Sequence, residues 1–428
     1  MADRGHEQLE RTSGRGPRRV SGFSLLRAIA AFAFAVVSVG VVAVSAATEV
    51  HARDLVREFS QTLSPADRKQ FEQWFAARTF FNAAVDAYWA NVERVRQDRR
   101  ARLRANQVIT VNHYVQDLPP TYDGPALSEE LSKRWQAFQA QARRPTRRDD
   151  ELPGLDVFLA AAQTHFDFTP ERIPEREFKR RYAEEAVRLG LSKEQVVRVY
   201  ALETGGIGTA DMIAGIHPIR GTGRPISSAL GYAQLLGANT LLVLQEHGAA
   251  FEARLQQMQK AVSDPQRRAQ LGDKITRLRR MRAYVNSLPK QWSELTKASR
   301  TSRGRGVHPI NIDGDLGPWV QVIKLKDIKR FAERNGRSRL TPEQLELMNL
   351  AGPATGLEMM TALGSRMLTV NFFARRGYER NTIVRGRTAR ELLEVLGQRM
   401  DANEKNSGAV EFAQVFDEVL ASRRAALR

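Results

Sequence analysis

The chain contains no cysteine. That excludes a disulfide framework and a cysteine nucleophile. Stability must then come from apolar burial, which a chain of 428 residues is long enough to supply. Histidine is scarce as well. The seven present show no metal-ligand spacing, and His217 and His308, each followed by proline, read as loop residues. Asp313-Gly-Asp315 begins like a calcium loop, but the later ligands of that pattern are missing and the spacing predicts a turn. No metal or other cofactor is expected. Acidic residues are in deficit, 48 against 66 Lys and Arg, for a formal net charge of +18.

The excess of positive charge has three dense patches: Arg143, Arg144, Arg147 and Arg148; Arg277, Arg279, Arg280 and Arg282; and Arg300, Arg303 and Arg305. None is interleaved with aromatic residues as a base-stacking platform would be, so no nucleic acid partner is expected. The N-terminus points elsewhere. Arg4, Arg11, Arg15, Arg18 and Arg19 precede an apolar stretch, 28–47, broken only by Ser and Gly. A basic flank before an apolar core is a secretory signal or a signal anchor. Twenty such residues are enough to span a bilayer, yet Ser45-Ala-Ala47 and Val50-His-Ala52 both have the small residues of a cleavage site. Export to the periplasm is therefore predicted, with cleavage and retention at the inner membrane both open. Residues 1–52 hold six Arg and four acidic residues, so about +16 remains on the rest. Such a charge draws an exported protein to an anionic polymer.

Punctuation divides the chain into 1–52, a signal peptide or anchor; 53–150, a helical N-terminal region and linker; and 151–428, the main domain. Ser64-Pro-Ala-Asp67 opens a helix with a serine cap and proline in the first turn, running past Phe71, Trp74 and Phe75 towards Arg99–Arg104. Pro119-Pro120 and Gly124-Pro125 break it from a helix at 128–143, and the charged run 143–151 reads as a linker. Further helices are predicted over 154–202, 229–246, 251–290, 325–335, 341–349 and 388–401. Capping boxes Thr341-Pro-Glu-Gln344 and Thr388-Ala-Arg-Glu391 start the last two. Pro265 and Pro289 mark 251–290 as an amphipathic helical pair. Short hairpins are expected within 216–226 and 307–323. The class is mainly α.

One helix carries a chemical signal. Ser192-Lys-Glu-Gln195 is a capping box, after which Val196, Val199 and Tyr200 mark one apolar face. Glu203 continues that face, three residues after Tyr200, and Gly205-Gly206 stop the helix. Burial of an ionised carboxylate is costly, so such a group tends to keep its proton, as a general acid must. A partly solvated surface glutamate is the ordinary alternative at a helix end.

Glu203-Thr204, Gly231-Tyr-Ala-Gln234 and Met348-Asn-Leu-Ala-Gly-Pro353, with the late Tyr378, resemble the Glu-Ser, Gly-x-x-Gln, Tyr-Asn-Ala-Gly-Pro and tyrosine motifs of soluble lytic transglycosylases. The match covers roughly 175–385, with Thr replacing Ser, the asparagine offset by one residue, a long excursion after Glu203 and a large insertion before Asn349. The resemblance implies a lysozyme-like lobe with short β-hairpin excursions. It also implies cleavage of the MurNAc-β-1,4-GlcNAc bond of peptidoglycan glycan strands, with 1,6-anhydro-MurNAc ends. Glu203 would serve as acid and then base. Thr204, Gly231, Tyr232, Gln234, Asn349 and Tyr378 would bind substrate or orient the glutamate. A hydrolase would need a second acid, for which Asp211 is the candidate. Two alternatives remain: a non-catalytic wall-binding protein on the same scaffold, and an envelope adaptor that binds protein partners through 53–150.

Overall fold

The computed structural model describes residues 46–142, 152–426 and 428. The basic flank, the apolar stretch up to residue 45 and the charged linker 143–151 lie outside the described residues. No described helix is long and apolar enough to cross a membrane.

The fold is mainly helical. Helices α1 (Ala46–Gln61) and α2 (Pro65–Arg104) lead through an irregular segment to α3 (Glu129–Ala142). Then come α4 (Leu155–Phe166), α5 (Glu175–Arg188), α6 (Lys193–Thr204), α7 (Gly237–Ala261), α8 (Pro265–Asn286), α9 (Trp292–Ala298) and α10 (Ser302–Arg305). A 3-10 turn at His308–Ile312 precedes α11 (Gly317–Arg334), α12 (Pro342–Ala351), α13 (Pro353–Met359), α14 (Arg375–Arg380), α15 (Ala389–Asn403) and α16 (Ser407–Ala426).

Local chemistry sets these boundaries. Ser64, Ser192, Thr341 and Thr388 each accept a backbone N–H at the start of their helix, and the last three form reciprocal capping boxes. The predicted helix 154–202 is broken twice. Asp167 and Gly190 turn left-handed, at φ 53° and 75°, and Pro170 and Pro174 fill the first gap. The predicted helix 229–246 begins only at Gly237, because Gly231 and Gln234 hold φ of 78° and 41°. The pair expected over 251–290 is present as α7 and α8, packed side by side.

Neither expected hairpin forms a pair of strands among the described residues. Residues 213–235 form a folded-back loop pinned by isolated antiparallel bridges, among them Ile216–Gly223 and Ile213–Leu230. The segment 307–323 forms no hairpin. Pro309 and Pro318 sit in the first turns of helical segments, and Asp313 Oδ1 accepts from Asp315 N (3.1 Å) and Leu316 N (3.0 Å) to start α11. Nearly every residue of this segment is buried, so its apolar residues follow no period of two.

Helix α11 is the wall between two cores. Trp319, Val320 and Ile323 pack with Leu241 of α7 and Leu278 and Met281 of α8. Val322, Leu325 and Ile328 pack with Tyr200, Met348 and Phe412 of α6, α12 and α16. A third core joins Val85, Trp89 and Val92 of α2 to Leu347, Phe372, Leu392 and Leu396. Here two buried arginines replace apolar packing. Arg96 donates to the carbonyls of Val370 (2.9 Å), Asn371 (3.1 Å) and Phe373 (2.7 Å), and Arg99 reaches Asn371 O (2.8 Å) and Glu358 (2.5 Å). The boundary drawn near residue 150 therefore marks no break in packing: the second half of α2 is part of the main core. Phe59, Phe71, Leu131 and Trp135 form a small separate core that fixes α1 and α3 to the first half of α2.

Asp313 and Asp315 form the turn their spacing predicts. Their carboxylates are held by Lys274, with Arg267 and Arg181 also on Asp315. Three protein cations thus occupy the surroundings of the two carboxylates.

A candidate acid site at the end of helix α6

The end of α6 is fixed from several directions. Tyr200 donates its hydroxyl to Gly208 O at 2.8 Å, and its ring stands nearly perpendicular to Tyr232 and Phe412. Gly205 and Gly206 continue left-handed at φ 65° and 70°. Their carbonyls accept from Asn406 Nδ2 (2.8 Å) and Ala409 N (2.9 Å), which seats the helix end on the turn between α15 and α16. A Cβ at Gly206 would lie 2.1 Å from Asn403 O, so no other residue fits this approach.

This frame presents Glu203 to a group contributed by two other helices. Asn349 of α12 donates its Nδ2 to Glu203 Oε1 at 3.1 Å and to Glu346 Oε2 at 3.1 Å. The shared amide therefore brings the Glu346 and Glu203 carboxyls side by side. Lys324 of α11 brings a positive charge that acts on both. Glu203 retains partial exposure, whereas Glu346 is only 3% exposed. Glu203 is thus the solvent-facing member, with Glu346 behind it. The Oδ1 of Asn349 is buried without a partner.

The electrostatics follow from burial. Loss of solvent raises the pKa of Glu203 above its ordinary value, against the opposing charge of Lys324 and the hydrogen bonds from Glu346 and Asn349. Burial, reinforced by the negative charge of Glu203, raises Glu346 well above its ordinary range. Burial also lowers the pKa of Lys324, opposed by the two carboxyls. The group favours retention of a proton above the ordinary carboxylate range, and Glu203 is its partly exposed carboxyl residue.

The other residues singled out in the sequence divide sharply. Asn349 joins Glu203. Thr204 does not: it is buried, and its hydroxyl donates back to Tyr200 O at 2.7 Å, a bond within its own helix. Tyr232 does not line a groove. It is 1% exposed, packed among Phe178, Tyr182, Tyr200 and Phe412, and its hydroxyl donates to Glu175. Gly231 supplies a left-handed turn against Gln321, which accepts from Ala233 N at 3.1 Å and anchors the loop. Gln234 donates to Gly231 O at 2.7 Å, so its amide nitrogen closes the same loop. Tyr378 is buried beside Trp89 and accepts from Gly386 N at 2.8 Å. It lines a surface cavity of about 460 Å³ with Arg78, Phe81, Trp89 and Pro119, and neither Glu203 nor Asn349 lines that cavity.

Asp211 accepts from Arg172 and Thr209, both at 2.6 Å. Burial raises its pKa, but those two hydrogen bonds bring it below the ordinary value. It is a carboxylate held in an ion pair.

Three features of the site were missed from the sequence. Glu346 lies within Leu345-Glu-Leu-Met348 and Lys324 within Ile323-Lys-Leu325. A charge flanked on both sides by buried apolar residues is the signal that marks both. His308, read as a loop residue, is buried; its Nε2 donates to Ser228 O (2.7 Å) while Nδ1 accepts from Thr240 (2.8 Å), tying the start of the 228–236 loop to the core. Elsewhere, Glu246, His247 and Asp327 place their donor atoms within 4.8 Å of one another, a set able to hold a divalent cation. His247 Nε2 lies 2.7 Å from Asp327, which an ion pair explains equally well.

Comparison with family models, with curated proteins and with solved structures finds no match to this chain.

Proposed function

We propose that the protein is an exported glycan-cleaving enzyme of the lytic transglycosylase type, with Glu203 as its acid and base and peptidoglycan strands as its substrate. The observation that carries this reading is the placement of a partly exposed glutamate at a helix end, joined through the Asn349 amide to the more deeply buried Glu346. Retaining and inverting glycosidases set two carboxyls across the scissile bond, about 5–5.5 Å or roughly 6.5–9.5 Å apart. Glu346 shares one amide donor with Glu203 and is buried, so it cannot flank a sugar from the far side. Asp211 is held by Arg172. A mechanism needing only one carboxyl fits this arrangement best.

In that mechanism the Glu203 carboxyl gives its proton to the glycosidic oxygen as the C1–O4 bond breaks. The resulting carboxylate takes the proton of the muramyl 6-hydroxyl as the C1–O6 bond forms, and Glu203 ends as it began. The positive charge favours an anionic wall polymer. The basic-then-apolar N-terminus favours work in the periplasm, with residues 28–47 as the contact to the inner membrane. Partners bound through 53–150 would meet α1, α3 and the first half of α2, since the second half is clamped by Arg96 and Arg99.

One observation favours a wall-binding protein without catalysis: Thr204, Tyr232 and Gln234 are engaged within the protein. Digestion of purified peptidoglycan by the full chain and by Glu203→Gln, with products read by mass spectrometry, decides between them. Anhydro-muramyl ends from the wild type alone support the enzyme. Binding without release by either supports the wall binder, and reducing ends that depend on Glu203 indicate a hydrolase.

A further inference from the structure

We propose that Glu346 is a positioning residue that works as a neutral carboxylic acid, donating its O–H to the carboxylate that Glu203 becomes once it has given up its proton. Its catalytic consequence rests on the reading of Glu203 as acid and base; the protonation state of Glu346 does not.

Lys324 from α11, Glu346 from α12 and Tyr182 from α5 are the titratable groups that interact with Glu203, and Asn349 is the neutral donor between the two carboxyls. The charged groups of α15 nearest α6, Asp401 and Glu404, are turned to Arg198 instead. From α16, Asp417 pairs with Lys193 and Glu411 with Lys179. Two ionised carboxylates sharing one amide donor beside one cation would leave a net negative charge out of water, which is costly. One of the two must keep a proton. Glu346 is the deeper and Glu203 reaches solvent, so the proton that stays belongs to Glu346.

Geometry then gives the neutral acid a purpose. A protonated carboxyl has one donor, and the Glu203 carboxyl is the acceptor that the shared Asn349 amide places beside it. When Glu203 releases its proton, the new charge is met by the Glu346 O–H, the Asn349 N–H and the field of Lys324, all in place beforehand. When Glu203 takes the next proton, that charge is removed and Glu346 has neither gained nor lost its own. A donor against the charged form and burial against it act in opposite senses on Glu203, which suits a group that must serve both as acid and as base.

The test compares the full-length wild type with Glu346→Gln and Glu346→Leu. Infrared difference spectra against Glu346→Gln read the carboxylic C=O stretch, and carboxyl ¹³C NMR of glutamate-labelled protein follows the Glu203 titration, assigned with Glu203→Gln. The proposal expects a protonated-acid band that persists well above the ordinary carboxylate range and is absent from Glu346→Gln. It expects the Glu203 midpoint in Glu346→Gln, whose amide still donates, to stay within about half a unit of wild type, and that of Glu346→Leu to rise by about a unit or more. A fall of more than about a unit in Glu346→Gln, as when a neighbouring negative charge is removed, overturns it. So does the absence of the band. If Glu346→Leu does not fold, the spectra of Glu346→Gln still decide. If peptidoglycan is not cleaved by the wild type, the functional reading fails while these spectra stand; if it is, Glu346→Gln should keep activity within about fivefold and Glu346→Leu lose about a hundredfold.

Discussion

Asn349 Nδ2 lies 3.1 Å from Glu203 Oε1, although 146 positions separate the two residues in the chain. The same nitrogen reaches Glu346, so one amide of α12 bridges the Glu203 carboxyl of α6 and a carboxyl of its own helix. Replacing Asn349 with Ala removes a donor that favours the charged form of both. Glu203 should then hold its proton more tightly, and glycan cleavage should fall about tenfold to a hundredfold. Rates of anhydro-end release, together with an unchanged circular dichroism spectrum, check this.

The loop that follows depends on one glycine. A Cβ at Gly231 would meet the buried Gln321 side chain at 2.4 Å, in a backbone at φ 78°. Gly231→Ala should cost about 2–3 kcal/mol, combining the left-handed penalty with displacement of Gln321 from Ala233 N. Gly221, also left-handed but with open space around it, should lose only about 1 kcal/mol on the same change. Urea denaturation of both variants measures the difference.

His308 makes stability depend on pH. Burial depresses its pKa to about 4, against about 6.5 in the unfolded chain. Between those values the unfolded state binds the proton and the native state does not, so stability falls as pH falls from about 6.5 to about 4. The contribution at stake is about 3 kcal/mol. Chemical denaturation of wild type and His308→Gln across that range should show the smaller acid loss in the variant.

The arginine clamp predicts a larger effect. Arg96→Leu would leave the carbonyls of Val370 and Phe373 without this donor in a buried place, with only Arg99 left on Asn371 O. A loss of about 3 kcal/mol or more is expected, with earlier proteolysis of α2. Limited proteolysis coupled to thermal denaturation tests both.

Much of this frame was legible locally. Ser192 and Gln195, Thr341 and Gln344, and Thr388 and Glu391 are short-range patterns, and each starts its helix as expected. Glu203 stood out because it continues an apolar face. What the sequence concealed is long-range or backbone-determined. Glu346 and Lys324 gain their meaning only when α11 and α12 meet α6. Tyr232 shows period and position but not depth, and it is a core residue because Phe178, Tyr200 and Phe412 surround it. His308 precedes proline as loop residues often do, yet its turn is buried. The composition break near 150 suggested a boundary, whereas Arg96 and Arg99 show that contacts cross it.

The central claim is that Glu203 performs the chemistry from a protonated state. The most direct measurement is the rate of anhydro-muramyl end formation on a defined glycan strand as a function of pH, for wild type and Glu203→Gln. The account predicts activity that is present while Glu203 is protonated and declines as pH rises through its elevated pKa, with none in the variant at any pH. Equal release by Glu203→Gln, or a wild-type rate that rises with pH across that range, would contradict it.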